Sequence, residues 1–346
     1  MTGERQLIKK IKDWTGSAKI GDDCAVLPAC AAATVVSSDM LVEGRHFSLA
    51  YRDFESLGWK SCAVNLSDIA AMAGQPRHLT ISLALPAYVA EADLQSFYQG
   101  FSRCARTYGA EIVGGDLTAG DSLVISITVI GEAPASGALL RSGARPGDSV
   151  IVSGTFGASA LGLKILQALG DQGRRPAFSP ARKALVQAHL RPQPRFAEAF
   201  ALVEVCGNRA ALMDASDGLA DALYQICEAS NVSMQINQDL IPIAAAVRSE
   251  AAAFACDPLQ LALYGGEDYE LVACLGTSAD ETDNGAGNGP EPSIDFLEGG
   301  LPFITIGRVV SQNEPGKPKV ELLSGRGAAE KTVACVDLSN CYQHFC

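Results

Sequence analysis

The sequence lacks the segments that would place a chain in a membrane or on nucleic acid. No stretch of its 346 residues approaches the roughly 18 consecutive apolar residues of a membrane-spanning helix. Residues 1–14 contain no apolar signal-peptide core. Acidic residues outnumber basic ones, 39 to 27, and the resulting net charge of −12 disfavours anionic polymers and anionic membrane surfaces as partners. We therefore expect a cytoplasmic protein with no nucleic-acid partner and no membrane partner.

Paired cysteine motifs are missing as well. The chain has eleven cysteines, an odd number, and none of them forms a C-x-x-C pair. Most stand singly in apolar stretches, as Cys62 and Cys104 do, which is typical of small core residues in a reducing compartment. The sequence leaves open what the cysteines near the C-terminus do, namely Cys335, Cys341 and Cys346.

The common phosphate-binding and nucleophile motifs do not occur either. The glycine-rich residues 153–164 end in Gly162, Leu163 and Lys164, so the lysine does not follow glycine as a P-loop requires. No G-x-G-x-x-G follows a strand pattern, and no G-x-S-x-G nucleophile motif appears. An acidic chain of this kind can still bind polyphosphates if divalent metals lie between its carboxylates and the phosphates.

What the chain does contain is ample apolar material in an α/β pattern. Hydrophobic residues make up 48% and charged residues 19%, and the length favours two domains. A turn-rich segment at residues 141–148 separates two halves in which strand and helix patterns follow one another. We predict strands at residues 79–85, 122–130, 149–153, 210–213 and 232–236, and helices at residues 54–73, 91–108 and 218–229. Residues 276–300 are polar and predict a surface excursion, to which the sequence assigns no function.

Acidic clusters recur along the chain, and we expect each at the end of a strand or helix or on an apolar helix. They occupy residues 21–23, 37–39, 65–68, 114–116 and 214–218. Because Mg²⁺ prefers oxygen ligands and takes few carboxylates from any one element, a site for several ions needs carboxylates from several elements. The alternative for each cluster is ordinary turn or helix-capping chemistry, and Asp217 in particular could cap the helix that follows it.

Asn65 and Asp68 share one face of an otherwise apolar helix because they are three positions apart. Buried polar groups need partners, since leaving them unpaired is costly. A ligand-binding role and a structural hydrogen-bond network both remain open for this pair. His46 is one of only four histidines; a lone histidine is usually structural or at the surface, but its position shortly after the cluster at residues 37–39 strengthens the case for a functional role.

Taken in order, the segments resemble one enzyme family across nearly the whole chain. They are residues 3–4, 20–25, 37–47, 63–72, 114–116, 141–148, 214–218, 265–271 and 342–345. The set is similar to that of the thiamine-monophosphate kinases, which share an ATP-binding superfamily with aminoimidazole ribonucleotide synthetase and selenophosphate synthetase.

The resemblance implies an α/β fold of two domains. Residues 1–140 would form an N-terminal ATP- and Mg²⁺-binding domain whose sheet makes a barrel with that of a second subunit in a homodimer. Residues 141–346 would form a C-terminal α/β domain, and ATP would bind where domains and subunits meet.

The resemblance also implies roles for individual residues. Several Mg²⁺ ions would be held by Asp23, Ser37, Ser38, Asp39, Asp68, Asp116, Asp214 and Asp217. ATP would contact Tyr108, Gly115, Asp116, Arg141 and Ser216. Thiamine monophosphate would contact His46, Glu267 and Tyr342. Asp68, Asp214 and Asp217 would be the catalytic residues, and the phosphoryl group would pass directly in line from ATP to the acceptor phosphate.

Two kinds of alternative stay open at this stage. Within the superfamily, a hydrogenase-maturation protein also ends in cysteine, as this chain does, although its usual terminal residues differ. Selenophosphate synthetase is disfavoured because its glycine-rich segment with a reactive Cys or Sec and a Lys is missing. The other alternative is a catalytically silent nucleotide-binding scaffold, which the presence of all the expected aspartates disfavours.

Overall fold

A computed structural model describes most of the chain. It covers residues 4–20, 31–51, 53–169, 178–276, 303–312, 316–325 and 330–341, together with residues 25, 27, 29 and 314. Asp23, Tyr342, Cys346 and residues 277–300 lie outside the described residues. Within the described ranges, no helix is both long enough and apolar enough to cross a membrane.

The first half of the chain is a four-stranded sheet covered by helices. Its elements are α1 (Glu4–Thr15), β1 (Thr34–Val42), α2 (Phe54–Ala71), β2 (Gln75–Leu85), α3 (Glu91–Thr107), β3 (Glu111–Ala119) and β4 (Val124–Glu132). The strand order is β1-β4-β2-β3, so β1 and β3 form opposite edges of the sheet. The pairs β1–β4 and β4–β2 are antiparallel, whereas β2–β3 is parallel.

Helix α2 is the centre of this half, and it is buried along most of its length. It begins at Asp53, whose carboxylate accepts from the Ser56 N–H at 2.7 Å and so satisfies one of the free N–H groups of the first turn. Gly58 and Gly100 let α2 and α3 pack backbone to backbone, because a Cβ at Gly58 would lie 2.0 Å from the Phe97 carbonyl oxygen. Helix α2 also contacts both sheets, which places its polar side chains between the two halves of the molecule.

The second half is a seven-stranded mixed sheet with helices. Its elements are β5 (Ser149–Val152), α4 (Ala158–Leu169), α5 (Pro180–Leu190), α6 (Phe196–Cys206), β6 (Ala211–Asp214), α7 (Leu219–Ser230), β7 (Ser233–Asn237), α8 (Ala245–Glu250), α9 (Pro258–Tyr264), β8 (Leu271–Leu275), β9 (Ile304–Val310), β10 (Val320–Ser324) and β11 (Lys331–Cys335). The strand order is β11-β10-β7-β9-β5-β8-β6. Strand β6 is an edge strand, and α2 packs against it.

The predicted mixed α/β architecture is confirmed, and the predicted strands and helices correspond to observed ones. The prediction that every acidic cluster lies at the end of an element or on a helix is wrong in two places. Residues 37–39 lie inside β1, and residues 114–116 lie inside β3. Gly115 is needed where β2 passes close by, since a Cβ there would lie 1.9 Å from the Ile81 carbonyl oxygen. The glycine pair therefore marks close strand packing rather than a turn.

Candidate active site

Polar side chains of α2 contact two parts of the molecule, strand β1 and the second half of the chain, and the site lies between these two. Asn65 and Asp68 face β1: the Asn65 side-chain oxygen accepts from the Asp39 N–H at 3.1 Å, and Asp68 accepts from the Ser37 hydroxyl. Lys60 and Ser67 are seven residues apart, so they lie two helical turns apart on the same face. That face meets the second half of the chain, where Ser67 donates to Asp214 at 2.6 Å.

Four aspartates converge at this junction, and we call them the carboxylate cluster: Asp39 of β1, Asp68 of α2, Asp214 at the end of β6, and Asp217 just before α7. Burial raises the pKa of Asp39 to about 6, and the charges of Asp68 and Asp217 add to the effect. Burial also raises the pKa of Asp214 to about 7, with a further contribution from Asp68. These carboxylates are therefore close enough to repel one another in a partly dry environment.

Asp68 and Arg141 complete the electrostatics of the cluster. Burial raises the pKa of Asp68, while the Ser37 hydroxyl and the Arg141 guanidinium oppose that rise. Arg141 also lowers the pKa of Asp214 from the value that burial alone would give. The Arg141 guanidinium donates to the Gln225 side-chain oxygen at 2.5 Å. Arg141 therefore acts on two carboxylates, Asp68 and Asp214, and offsets only part of the negative charge that the described residues bring together.

Asn65 has a structural role in this arrangement. Its amide nitrogen donates to the Ser61 carbonyl at 3.0 Å while its oxygen holds the Asp39 backbone. The alternatives left open for Asn65 and Asp68 thus separate: Asn65 joins a hydrogen-bond network, and Asp68 joins the carboxylate cluster. Asp217 does not occupy the N-cap position of α7, because that position is Gly218. Gly218 has φ 108°, and a Cβ there would lie 2.7 Å from the Leu263 carbonyl oxygen, so glycine is required.

Residues 265–270, which we call the acidic loop, run beside the turn that carries Ser216 and Asp217. The Glu267 N–H donates to the Ser216 carbonyl at 2.6 Å, and the Tyr269 N–H donates to the Ala215 carbonyl at 3.2 Å. Glu267 and Tyr269 both adopt left-handed backbone conformations, with φ 58° and 53°. These backbone contacts bring Glu267 next to the carboxylate cluster.

Each acid of the acidic loop has its own partner within the chain. Glu267 lies 2.6 Å from the Lys60 Nζ, and Glu270 forms an ion pair with Arg195 and accepts from the Ser153 hydroxyl at 2.7 Å. Burial alone would raise the pKa of Glu267, but the Lys60 ammonium and His189 outweigh burial and hold it well below its usual range.

Asp268 explains why the glycine-rich segment is not a phosphate-binding loop. Its carboxylate accepts from the N–H groups of Gly157 at 2.7 Å and Ser159 at 3.1 Å, at the start of α4. The N-terminus of a helix is the usual place for an anion, and here a side chain of the protein already occupies it. Burial raises the pKa of Asp268 to about 7 in spite of these donors.

Other residues predicted for the site lie away from the carboxylate cluster. Ser38 lies on the opposite face of β1 from Asp39 and donates to the Ile127 carbonyl at 2.8 Å. Gly115 and Asp116 lie on β3, at the other edge of the sheet from β1, and three strand spacings of about 4.8 Å separate those edges. Asp116 is exposed.

Tyr108 and His46 have other partners among the described residues. The Tyr108 hydroxyl donates to the Gln193 side-chain oxygen at 3.0 Å, and its ring packs against Phe196. His46 lies in the turn after β1, where its Nδ1 accepts from the Val42 N–H at 3.0 Å. Because Nδ1 accepts, the neutral ring carries its proton on Nε2. Within the part of the chain that the structure describes, no three or more His, Cys, Asp or Glu side chains form a ready-made metal-binding group.

No individual role was assigned from the sequence to Lys60, Ser67, His189 or Asp268. Lys60 could have been found, because a lysine within a strongly apolar helix is rarely buried without a partner. Ser67 and His189 gave no comparable signal, since their partners are distant in sequence.

Comparison with known proteins fits this geometry. The family described as AIR synthase related protein matches with its N-terminal domain at residues 21–133 and its C-terminal domain at residues 145–282. The thiamine-monophosphate kinase of Synechococcus elongatus is 40% identical over 279 residues, which are 79% of this chain and 82% of that protein.

Solved structures agree with the sequence match. AaThiL complexed with AMPPCP and TMP has a TM-score of 0.72 at 32% identity, covering 92% of this chain and 93% of that one. The hydrogenase maturation protein HypE in complex with ATP has a TM-score of 0.71 at 20% identity, over 97% and 96% of the two chains, and shares the fold alone. The chain therefore belongs to the thiamine-monophosphate kinase family of the AIR synthase related proteins.

Proposed function

We propose that this chain transfers the γ-phosphoryl group of ATP to thiamine monophosphate, forming thiamine diphosphate and ADP, with Mg²⁺. The observation that carries the proposal is the carboxylate cluster, which three separate segments of the chain build at the junction of the two halves beside Arg141. The AaThiL complex with AMPPCP and TMP supports the choice of both substrates.

Mg²⁺ fits the chemistry of the cluster. Asp214 is a buried oxygen donor, and Asp39 and Asp68 are partly buried ones. Desolvation raises all three pKa values, and neighbouring carboxylates add to the rise for Asp39 and Asp214, so a cation placed among them relieves an electrostatic cost. Asp217 would hold the same ions, and Asp23, outside the described residues, belongs to the proposed ligand set. When bound, the ions would neutralise the charge of donor and acceptor phosphates that otherwise repel each other.

The residues of the chain would mainly position and neutralise. Phosphoryl transfer needs alignment and charge compensation more than covalent help. Arg141 would add a positive charge to the nucleotide phosphates, and Gln225, which accepts from its guanidinium, would hold it in place. The acceptor is an anionic phosphate oxygen, so no general base and no side-chain nucleophile is required. We propose direct in-line transfer.

The nucleotide site requires a second copy of the chain in this proposal. Gly115 and Asp116 lie at the opposite edge of the sheet from Asp39, which supports an ATP site assembled from two subunits. Strand β1 carries Val36 and Met40 on its outer face, with 62% and 56% of each exposed. Such apolar exposure on an edge strand fits a sheet that continues into a partner. We retain the division at residues 140 and 141 and the barrel across a homodimer as parts of this proposal.

The dimer can be tested at Met40. We expect Met40→Glu to shift the protein to monomer in sedimentation velocity and to abolish kinase activity at micromolar protein concentration, because the charge would be buried at the interface. Val205→Glu is the matched control, since Val205 is 54% exposed on α6 in the second half. A Met40→Glu protein that stays dimeric and active would refute this interface.

The acceptor site is proposed at His46, Glu267 and Tyr342, of which Tyr342 lies outside the described residues. The decisive assay incubates the protein with ATP, Mg²⁺ and thiamine monophosphate and follows thiamine diphosphate by chromatography. We expect product, its loss with EDTA, and no phosphorylated enzyme when γ-labelled ATP is used alone. ATP binding without product would favour the scaffold alternative or a different acceptor. A kinetically competent phosphoenzyme would refute direct transfer.

A further inference from the structure

Lys60 is a buried cation in the middle of the apolar helix α2. Only 1% of its side chain is exposed, and its Nζ lies 2.6 Å from Oε1 of Glu267. An ammonium group is costly to bury unless it is paired and hydrogen-bonded. The pair also crosses between the two halves of the chain, since Lys60 belongs to α2 and Glu267 to the acidic loop.

His189, in the last turn of α5, holds the other oxygen of the same carboxylate. Its Nδ1 lies 3.2 Å from Oε2 of Glu267 and 3.1 Å from the Ser159 hydroxyl. A carboxylate can only accept, so this nitrogen must carry a proton for the contact with Glu267 to be favourable. Lys60 and His189 thus reach Glu267 from two different helices and contact both of its oxygens.

The backbone of Glu267 is fixed as well. Its φ of 58° is in the left-handed region, which non-glycine residues rarely adopt, and its N–H donates to Ser216 at 2.6 Å. Yet 31% of the Glu267 side chain is exposed, so Lys60 and His189 do not enclose it completely. Each carboxylate oxygen has two lone-pair sites, which leaves capacity for a further donor or cation.

We propose that Lys60 and His189 are positioning residues that fix the Glu267 carboxylate to receive the cationic organic part of the acceptor. This inference rests on the proposed function. The thiazolium ring of thiamine carries a permanent positive charge and its pyrimidine carries an amino donor, so an ionised, oriented carboxylate matches both. The phosphate end would remain at the carboxylate cluster. Lys60 and His189 therefore act on acceptor binding and not on the nucleotide.

The test separates the Michaelis constants of the two substrates. In Lys60→Met we expect KM for thiamine monophosphate to rise by about tenfold or more, while KM for ATP stays within about twofold. The double variant Lys60→Met/Glu267→Gln removes both charges at similar volume. We expect it to recover the thermal stability lost in Lys60→Met but not the wild-type KM for thiamine monophosphate. If the ion pair were purely structural, the double variant would recover both.

His189 offers a conservative control. Asn can place an amide N–H close to the position of Nδ1, whereas Leu has no donor. We expect His189→Asn to keep KM for thiamine monophosphate within about threefold of the wild-type value and His189→Leu to raise it by about tenfold. Arg209→Met is the matched control, because Arg209 pairs at 2.8 Å with Asp148, which is also buried, away from the acidic loop. It should lower stability and leave both KM values unchanged.

The outcomes distinguish this inference from the proposed function. A wild-type protein that makes no thiamine diphosphate refutes the proposed function. The positioning role is refuted, and the proposed function is kept, if the wild-type protein makes thiamine diphosphate but Lys60→Met raises both KM values equally or raises neither. If Lys60→Met does not fold, the two His189 variants supply the same comparison, because both keep the Glu267 carboxylate.

Discussion

Two acidic regions lie side by side in this molecule, and they differ in how their charge is compensated. In the carboxylate cluster, the pKa values of Asp39, Asp68 and Asp214 are raised, and Arg141 only partly offsets the negative charge. In the acidic loop, Glu267 has a lowered pKa because Lys60 and His189 face it. The loop carries its counter-charges within the chain, whereas the cluster keeps an excess of negative charge that the proposed function assigns to Mg²⁺.

The same helix supplies both regions, which shows how the contrast arises. Helix α2 offers Lys60 to the loop and Asp68 to the cluster, two turns further along. Ser67 provides a hydroxyl to Asp214, which orients that carboxylate without neutralising it. In the proposed function, cation binding and acceptor recognition therefore depend on different side chains of one helix. The predictions below test that separation.

The largest effect is expected from Asp217→Asn, which removes one charge of the cluster at nearly constant shape. We expect kcat to fall on the order of 10³-fold, because charge compensation carries most of phosphoryl-transfer catalysis. The melting temperature should change by no more than a few degrees. Steady-state kinetics and thermal unfolding on the same preparation check this. An Asp217→Asn enzyme of wild-type activity would remove Asp217 from the proposed ligand set.

A smaller effect is expected on stability as pH changes without metal. The folded pKa values of about 6 for Asp39 and about 7 for Asp214 exceed the ordinary value of 3.8, so the folded protein binds more protons between about pH 4 and pH 7. Its free energy of unfolding should therefore fall as pH rises through that window. We expect Mg²⁺ to reduce the fall, measured as the melting temperature with EDTA and with Mg²⁺.

Mg²⁺ should not remove the whole pH dependence of stability, because Asp268 also has a pKa raised to about 7. Its partners are backbone N–H groups at the start of α4 and not the carboxylate cluster. The part of the pH dependence that it contributes should persist when Mg²⁺ is added. If Mg²⁺ leaves the pH dependence of the melting temperature unchanged in both the wild-type protein and Asp214→Asn, the ions do not bind at the carboxylate cluster.

The smallest effect is expected at the loop's helix cap. Asp268→Ala removes the acceptor for two N–H groups at the start of α4 and should cost about 2 kcal/mol of stability, with little change in kcat. Asp257→Ala is the control: Asp257 caps α9 through one bond to Leu259 at 2.9 Å and should cost about 1 kcal/mol. Chemical denaturation measures both. Equal losses would mean that the cap on α4 is an ordinary surface one.

Much of this could be predicted from sequence, where the pattern was local. The helix predicted at residues 54–73 is α2, and the strand predicted at 79–85 lies within β2, because periodicity reports which side of an element is buried. The grouping of Asp39, Asp68, Asp214 and Asp217 was anticipated only through the family resemblance. Their roles as metal ligands remain predictions.

What could not be predicted depends on how distant segments meet. Sequence order does not reveal that β1 and β3 form opposite edges of one sheet, so the distance between Asp39 and Asp116 came only from the structure. Lys60 and His189 reach Glu267 from other helices, and no local pattern contains that contact. Ser37 and Ser38 look equivalent in sequence, yet strand alternation sends them to opposite faces.

The most direct test of the contrast is calorimetric binding of AMPPCP in the presence of Mg²⁺. We predict that Glu267→Gln binds the nucleotide within about threefold of the wild-type affinity, because the proposed function assigns the loop to the acceptor. We predict that Asp214→Asn binds it at least about tenfold more weakly, because the proposed function assigns to the cluster the ions that receive the phosphates. Equal affinity in all three proteins, or a loss confined to Glu267→Gln, would contradict the assignment of cations to the cluster and of the acceptor to the loop.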